Sequence, residues 1–446
     1  MAASAPRPRL PGLAPAALCS AILLLSHAAA YPAPAADPPS DAESNARVEV
    51  RAASPLPTDP AQLLKLAAWA ERNGRLEEAD AVYRRLLDEE PFNQAAREAL
   101  FDLAAKRPLP AASPAYEQAR SHLPGRFREL QTRRFIVLSD ADRQWTRLQA
   151  QRLERTHHQF QRFARRLGLE PLPLRHKLVC VLFADREDYQ HFARTEDEVA
   201  DPWIAGYYAP KHDRVVFYRG EANPSVVEAR AKLREMRTEM DALAREADSA
   251  TQEGHPDQAE VLRQQSRRYR DHLQRESERV DAFADQVSTS TTVHETTHQL
   301  LFHTRIQSPR IQYPIWISEG LATSFETDDT DGSFGPDHDY PTRRDAFSEL
   351  LRSNDLIDLH GLVTLTRLAP TDEQAIHTVY QQSYALVTWM NRFRRSELRH
   401  YLELMLSEPP GPIGAERYRE IFRDAFGDID RLQRAWLTHE RGHLDS

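Results

Sequence analysis

The spacing of apolar residues changes several times along the chain, and each change marks an element. Leu63, Leu66, Ala67 and Ala70 recur at helical spacing, Asn73-Gly74 interrupts them, and Ala79, Tyr83 and Leu86 resume the pattern until Pro91. This predicts two amphipathic helices within residues 59–104, with residues 93–106 as a third. Residues 134–139 (Arg-Phe-Ile-Val-Leu-Ser) predict a strand, and residues 143–167 a long helix stopped by Pro171 and Pro173. The near-continuous apolar run at 177–183 predicts a buried strand, and 186–193 a short helix. Gly206-Tyr207-Tyr208 and residues 214–218 are rich in valine and aromatics and flank a turn at 210–213, the pattern of a β-hairpin.

Residues 224–285 change character. Aromatics almost vanish and Arg, Glu, Asp and Gln dominate. Leu233, Met236, Met240 and Leu243 form a helical stripe that Glu253-Gly254-His255-Pro256 breaks, and a second helix runs from Asp257 towards Phe283. A solvated α-hairpin or short antiparallel coiled coil fits this pattern, either as an insertion with an ordinary charged surface or as an arm for a partner. The fold class expected is α+β, with a small mixed sheet, a mainly helical C-terminal part and a helical N-terminal appendage.

Composition narrows the possibilities. The 446 residues have a mean hydropathy of -0.63, which excludes a polytopic membrane protein. Net charge is -9, and 53 of the 58 basic residues are arginines scattered among acids, with no basic block and no nucleic-acid module. Residues 1–30 have the pattern of a secretory signal: Arg7 and Arg9, an apolar stretch at 18–25, and Ala28-Ala29-Ala30 as a cleavage site, so that Tyr31 begins the mature chain. An exported location, periplasmic or secreted, is expected, and the apolar stretch is short for an uncleaved anchor. Residues 31–58, rich in Ala, Pro and acids, read as a disordered linker. Of two cysteines Cys19 falls in the signal, so Cys180 has no disulfide partner and no thiolate metal site is possible; it reads as a small core residue.

The chemistry concentrates in His294-Glu295-Thr296-Thr297-His298. On a helix, positions i and i+4 share a face, so both imidazoles reach one Zn2+ at about 2.0–2.1 Å. Glu295 leaves the helix at an adjacent angle, where it can hold a metal-activated water and take its proton. Glu319 stands 21 residues beyond His298, in Pro314-Ile315-Trp316-Ile317-Ser318-Glu319-Gly320-Leu321-Ala322. Pro314 suits the first turn of a second helix, folded back to offer Glu319 as third ligand. Glu326, seven residues on, is expected to support the site or make a surface ion pair. His303 lies on another face and is not counted as a ligand. Asp328, Asp329, Asp331 and Gly332 lack the closing glutamate of an EF-hand and read as an acidic surface loop.

A His-Glu-x-x-His helix followed by Trp-x-x-Glu-Gly-Leu-Ala resembles the gluzincin zinc metallopeptidases, most closely the peptidase-MA-like group of exported bacterial proteins of unknown function. The resemblance spans residues 130–440, leaving out the charged hairpin. It implies a gluzincin-like fold, one Zn2+ per chain on His294, His298 and Glu319, and hydrolysis of a peptide or protein substrate with Glu295 as general base. Thr378-Val379-Tyr380-Gln381-Gln382-Ser383 is similar to the segment bearing the transition-state tyrosine of gluzincin aminopeptidases. Tyr380 is then the candidate oxyanion donor, with Tyr384 as its rival one turn on. The Gly-Ala-Met-Glu-Asn strand of those aminopeptidases is missing, so an endopeptidase is expected, its substrate pairing with the edge of the 207–218 hairpin. Residues 59–106 resemble one tetratricopeptide repeat through Gly74, Ala79, Tyr83, Leu86 and Pro91, and equally fit a plain helical hairpin. The alternative function is a zinc-binding but inactive module, recruiting partners through residues 59–106 or 224–285.

Overall fold

The computed structural model describes residues 57–199, 204–369 and 372–444. The expected signal, and all but the last two residues of the expected linker, lie outside the described residues. The chain opens with α1 (Pro60–Arg72), α2 (Leu76–Glu89), α3 (Gln94–Lys106) and α4 (Pro114–His122). Asp59, Asn93 and Ser113 cap α1, α3 and α4, each side chain accepting a backbone N–H. The first three helices bury a small core of their own, with Leu63, Ala67, Tyr83, Leu86 and Leu100, and Leu172 from the main body completes it. Polar contacts add to the docking. Arg84 donates to the Pro173 carbonyl at 2.7 Å, and Arg305 pairs with Asp88 at 2.6 Å.

A five-stranded mixed sheet follows, made of β1 (Arg128–Gln131), β2 (Phe135–Ser139), β3 (Leu178–Phe183), β4 (Gly206–Ala209) and β5 (Arg214–Tyr218), with α5 (Arg143–Leu167) and α6 (Arg186–Glu196) between strands. Its order is β1-β2-β3-β5-β4. The central pairs β2–β3 and β3–β5 are parallel, and the outer pairs are antiparallel. Alternate residues serve two cores. Phe135, Val137, Cys180, Val215 and Phe217 face one, while Ile136, Leu138, Val179, Val216 and Tyr218 face the other. Cys180 is buried in β3, as its apolar neighbours suggested. The long helix does not wait for Pro171. It ends at Gly168, whose φ of 79° permits a Schellman turn closed by Leu169 N–H on the Ala164 carbonyl at 2.9 Å.

The charged hairpin is α7 (Pro224–Gln252) and the first part of α8 (Pro256–His303). It does not end near residue 285. The second arm runs on unbroken as the His-Glu-x-x-His helix, so α8 is one element of 48 residues. Val280, Phe283, Ala284 and Val287 of α8 join one core, and Val293, Leu300 and Leu301 join the other. The remainder is helical: α9 (Ile315–Phe325), α10 (Pro341–Ser353), α11 (Leu359–Leu362), α12 (Glu373–Phe393), α13 (Arg395–Leu406), α14 (Ala415–Phe426) and α15 (Ile429–Leu444). Every residue of α9 is buried, the polar Ser318, Glu319, Thr323 and Ser324 among them. Among the described residues no helix is long and apolar enough to cross a membrane.

Candidate metal centre

The ligand-bearing part of α8 reads Ser-Thr-Ser-Thr-Thr-Val-His-Glu-Thr-Thr-His, a poor sequence for an isolated helix. Packing and local hydrogen bonds make it possible. Residues 287–301 are all buried, and Thr289, Thr292 and Thr297 each return their hydroxyl to the carbonyl four residues back, at 2.8, 2.7 and 2.8 Å. Gly206 lets strand β4 lie directly against this segment, because a Cβ there would stand 2.5 Å from Thr291 Cγ2.

The structure brings together the three residues expected to hold a metal. His294 Nε2 and His298 Nε2 lie 3.2 Å apart. Glu319 Oε2, from α9, lies 3.3 Å from His294 Nε2 and 3.7 Å from His298 Nε2. A tetrahedral ion with bonds of about 2.1 Å spaces its ligand atoms about 3.4 Å apart, and the observed triangle fits that spacing. Neither carboxylate oxygen of Glu319 accepts a well-formed hydrogen bond, although the side chain is 1% exposed. A carboxylate so placed is costly to bury unless a cation faces it. The donor set of two imidazoles and one carboxylate therefore fits Zn2+.

Glu326 supports the site rather than forming a surface pair. It sits just past the C-terminus of α9 and accepts from His294 Nδ1 at 2.8 Å. That bond puts the proton on Nδ1 and turns the Nε2 lone pair towards His298 and Glu319. Glu326 is itself held by Arg343 of α10, whose Nε and Nη2 each donate at 2.7 Å. All three side chains are buried. Arg343 escaped sequence analysis. It is one arginine among 53, in a helix-opening segment with no motif.

Charge is distributed unevenly. Burial alone would push His294 down, but its contacts with Glu319 and Glu326 carry it up to about 10. Burial lowers His298. Glu319 ionises at about 2; burial opposes that, and the two histidines overcome it. Glu295 is pushed up to about 8, first by burial and then by the nearby Glu319 and Glu326 charges, with His294 acting against them. Its oxygens have no well-formed hydrogen bond, and the Tyr208 backbone N–H faces them from β4.

Glu319 and Tyr380 are brought to the centre by one close approach. A Cβ on Gly320 would lie 2.5 Å from Val387 Cγ2 and 2.7 Å from the Ser383 carbonyl, so α9 and α12 meet backbone to backbone. Tyr380 of α12 is buried and stacks on His294, rings 6.3 Å apart and 9° from parallel. Tyr384 is engaged elsewhere. Its hydroxyl accepts the Tyr340 backbone N–H at 2.8 Å, and Arg344 lies over its ring. His303 is not grouped with His294, His298 and Glu319; it pairs with Asp213. The acidic loop is held by short-range bonds, Asp331 N–H to Asp329 and Asp329 N–H to Thr327, and by α5, whose Arg155 pairs with Asp331.

Residues 288–411 match a family described as a protein of unknown function, DUF1570, and the matched stretch contains His294, Glu295, His298, Glu319, Glu326, Arg343 and Tyr380. No curated protein and no solved structure matches the chain.

Proposed function

We propose that the protein is an exported zinc metallopeptidase of gluzincin type, cleaving peptide bonds within a chain. The observation that carries this reading is the buried triangle of His294, His298 and Glu319, with Glu295 buried at an adjacent angle of the same helix and its oxygens without a well-formed hydrogen bond. When bound, the ion would supply Lewis acidity towards a water and towards the scissile carbonyl. Glu295 would take the proton of that water and return it to the leaving amine. A carboxyl whose proton affinity burial has raised is suited to both halves of that task. Tyr380 would donate its hydroxyl to the oxyanion, since Tyr384 is bonded to the Tyr340 amide. The substrate main chain would pair with β4, the terminal strand on its side of the sheet, beside Glu295. The export signal at 1–30 would place this activity outside the cytoplasm, and mass spectrometry of the exported protein should find Tyr31 or a near neighbour first.

One observation favours the second reading. His294, Glu295 and Glu319 are enclosed, none more than 1% exposed, so a peptide enters only if the surrounding elements part. A permanently closed centre would make the protein a zinc-holding interaction module, with the tetratricopeptide-like helices or the charged hairpin as its contact surfaces. A quenched peptide library decides between the two. Zinc-loaded wild type should cleave, Glu295→Gln should retain zinc and lose at least about 10²–10⁴-fold in rate, and Tyr380→Phe should lose less. Equal cleavage by Glu295→Gln would remove Glu295 from the mechanism. Zinc binding without any cleavage would favour the module.

A further inference from the structure

Helix α8 ends five residues beyond His298, at His303, and a second cluster gathers there. His303 Nε2 lies 2.5 Å from Asp213 Oδ1, and His176 Nε2 lies 3.7 Å from Asp213 Oδ2. The three residues come from separate places: the end of α8, the turn between β4 and β5, and the segment entering β3. One ligand atom from each falls within 4.8 Å of the others.

The tautomer of His176 makes this more than a pair of ion contacts. His176 Nδ1 is 3.0 Å from the Lys177 carbonyl oxygen, which can only accept, so Nδ1 carries the hydrogen. In the neutral ring Nε2 then presents its lone pair to the Asp213 carboxylate, and two electron-rich atoms face each other. In that tautomer no hydrogen lies between the two atoms to relieve the conflict. A cation between them removes it. The Asp213 carboxylate is already steadied by the Tyr208 hydroxyl, which donates at 3.2 Å.

We propose that His176, Asp213 and His303 bind a second divalent transition-metal ion, Zn2+ being the one that two imidazoles and a carboxylate suit. The ion replaces the proton between His303 and Asp213, and the two ligand atoms, 2.5 Å apart without it, separate to about 3.4 Å to hold it. Side-chain exposures of 15, 16 and 13% for His176, Asp213 and His303 let it arrive from solvent and leave coordination positions for water. Its effect is a clamp. The β4–β5 turn becomes tied to the end of the helix bearing His294 and His298, on the side where Tyr208 already stacks on Phe302 at 5.8 Å. The site stands on its own residues and does not depend on peptidase activity.

Calorimetric titration of metal-free protein with Zn2+ tests it. Wild type should bind two equivalents, His298→Ala one, His176→Gln one, and the double variant none. Each single loss should exceed about 100-fold in affinity, more than the cost of removing a residue that merely supports a ligand. Asp213→Asn repeats the test in a form that keeps the side-chain shape and tolerates the left-handed backbone there, φ 49°, should His176→Gln fold poorly. No zinc bound by His298→Ala, or one equivalent still bound by His298→Ala/His176→Gln, would overturn the second site. One equivalent in wild type that His176→Gln abolishes and His298→Ala keeps would support it while removing the buried centre, so the two readings fail separately.

Discussion

Zinc uptake by the buried centre should release two protons at pH 7 and one at pH 9. In the metal-free protein His294 titrates at about 10 and Glu295 at about 8, so both hold their protons at pH 7. Glu319 and Glu326 have lowered pKa values and are ionised, and Arg343 is charged. Two carboxylates thus balance two cations, His294 and Arg343. A dication disturbs that balance, and loss of one proton from His294 and one from Glu295 restores it. Neutral imidazole is in any case what a metal requires. At pH 9 roughly nine-tenths of Glu295 has already ionised, leaving only the His294 proton to displace. Zinc affinity should therefore rise about 100-fold per pH unit below 8 and about tenfold per unit from 8 to 10. The stability sign agrees. His294 is raised from 6.5 to about 10, so it stabilises the metal-free fold fully below 6.5 and loses that contribution as pH rises through 10. Stabilisation by zinc consequently grows with pH. The assay is calorimetry of the His176→Gln variant, which removes the second cluster, in paired buffers of different ionisation enthalpy with chelator-buffered zinc. Glu295→Gln should release one proton at both pH values. At pH 7, a heat independent of buffer, or equal release with and without Glu295→Gln, would refute this distribution of charge.

Two further perturbations probe the support of the centre. Glu326→Gln keeps the side-chain shape but weakens the acceptor for His294 and leaves Arg343 as a buried cation without its carboxylate. Zinc affinity should fall about 10–100-fold by chelator competition, with a lower melting temperature for the metal-free protein; unchanged affinity would show that His294 needs no such partner. Gly320→Ala forces a methyl to within 2.5 Å of Val387 and 2.7 Å of a backbone carbonyl, so urea unfolding should show a loss of about 1–3 kcal/mol. An unshifted midpoint would mean that α9 and α12 do not meet as closely as this.

The parts of the site read from sequence were those that local geometry fixes. His294 and His298 sit one turn apart on any helix, and Glu319 lay within a second recognisable stretch. The spacing of Glu326 from Glu319 leaves two places for it, in support of the site or in a surface ion pair, and the bond from His294 decides for the first. Arg343 was not, because its role depends on α10 reaching Glu326 from elsewhere in the fold, and nothing local distinguishes it. Tyr380 and Tyr384 share a helix and differ only in their neighbours, His294 for one and the Tyr340 amide for the other. Strand β1, Arg-Glu-Leu-Gln, lacks apolar alternation because it lies at an edge and is mostly exposed. The boundary drawn near residue 285 followed a real change, from charged residues to threonines. That change marks where α8 passes from solvent into the core, and the backbone hydrogen bonding continues through it.

That passage explains how the ligands are aimed. The buried end of α8 has little helix propensity of its own, so its geometry is imposed by the sheet and by α5 and α9. Helix α9 is wholly buried and α12 largely so, and Gly206 and Gly320 remove the side chains that would hold β4 away from α8 and α12 away from α9. The ligand atoms stand 3.2–3.7 Å apart through packing among large buried groups, with Glu326 and Arg343 fixing the one ring orientation that packing alone leaves undecided. Small metal-dependent domains lack such a core, and the ion there contributes the folding energy. Here the buried core would, and an ion would meet a site whose desolvation cost folding has already met. The protein can then keep Glu295 in a dry, electronegative pocket that raises its proton affinity, which a loosely formed site open to water would not do.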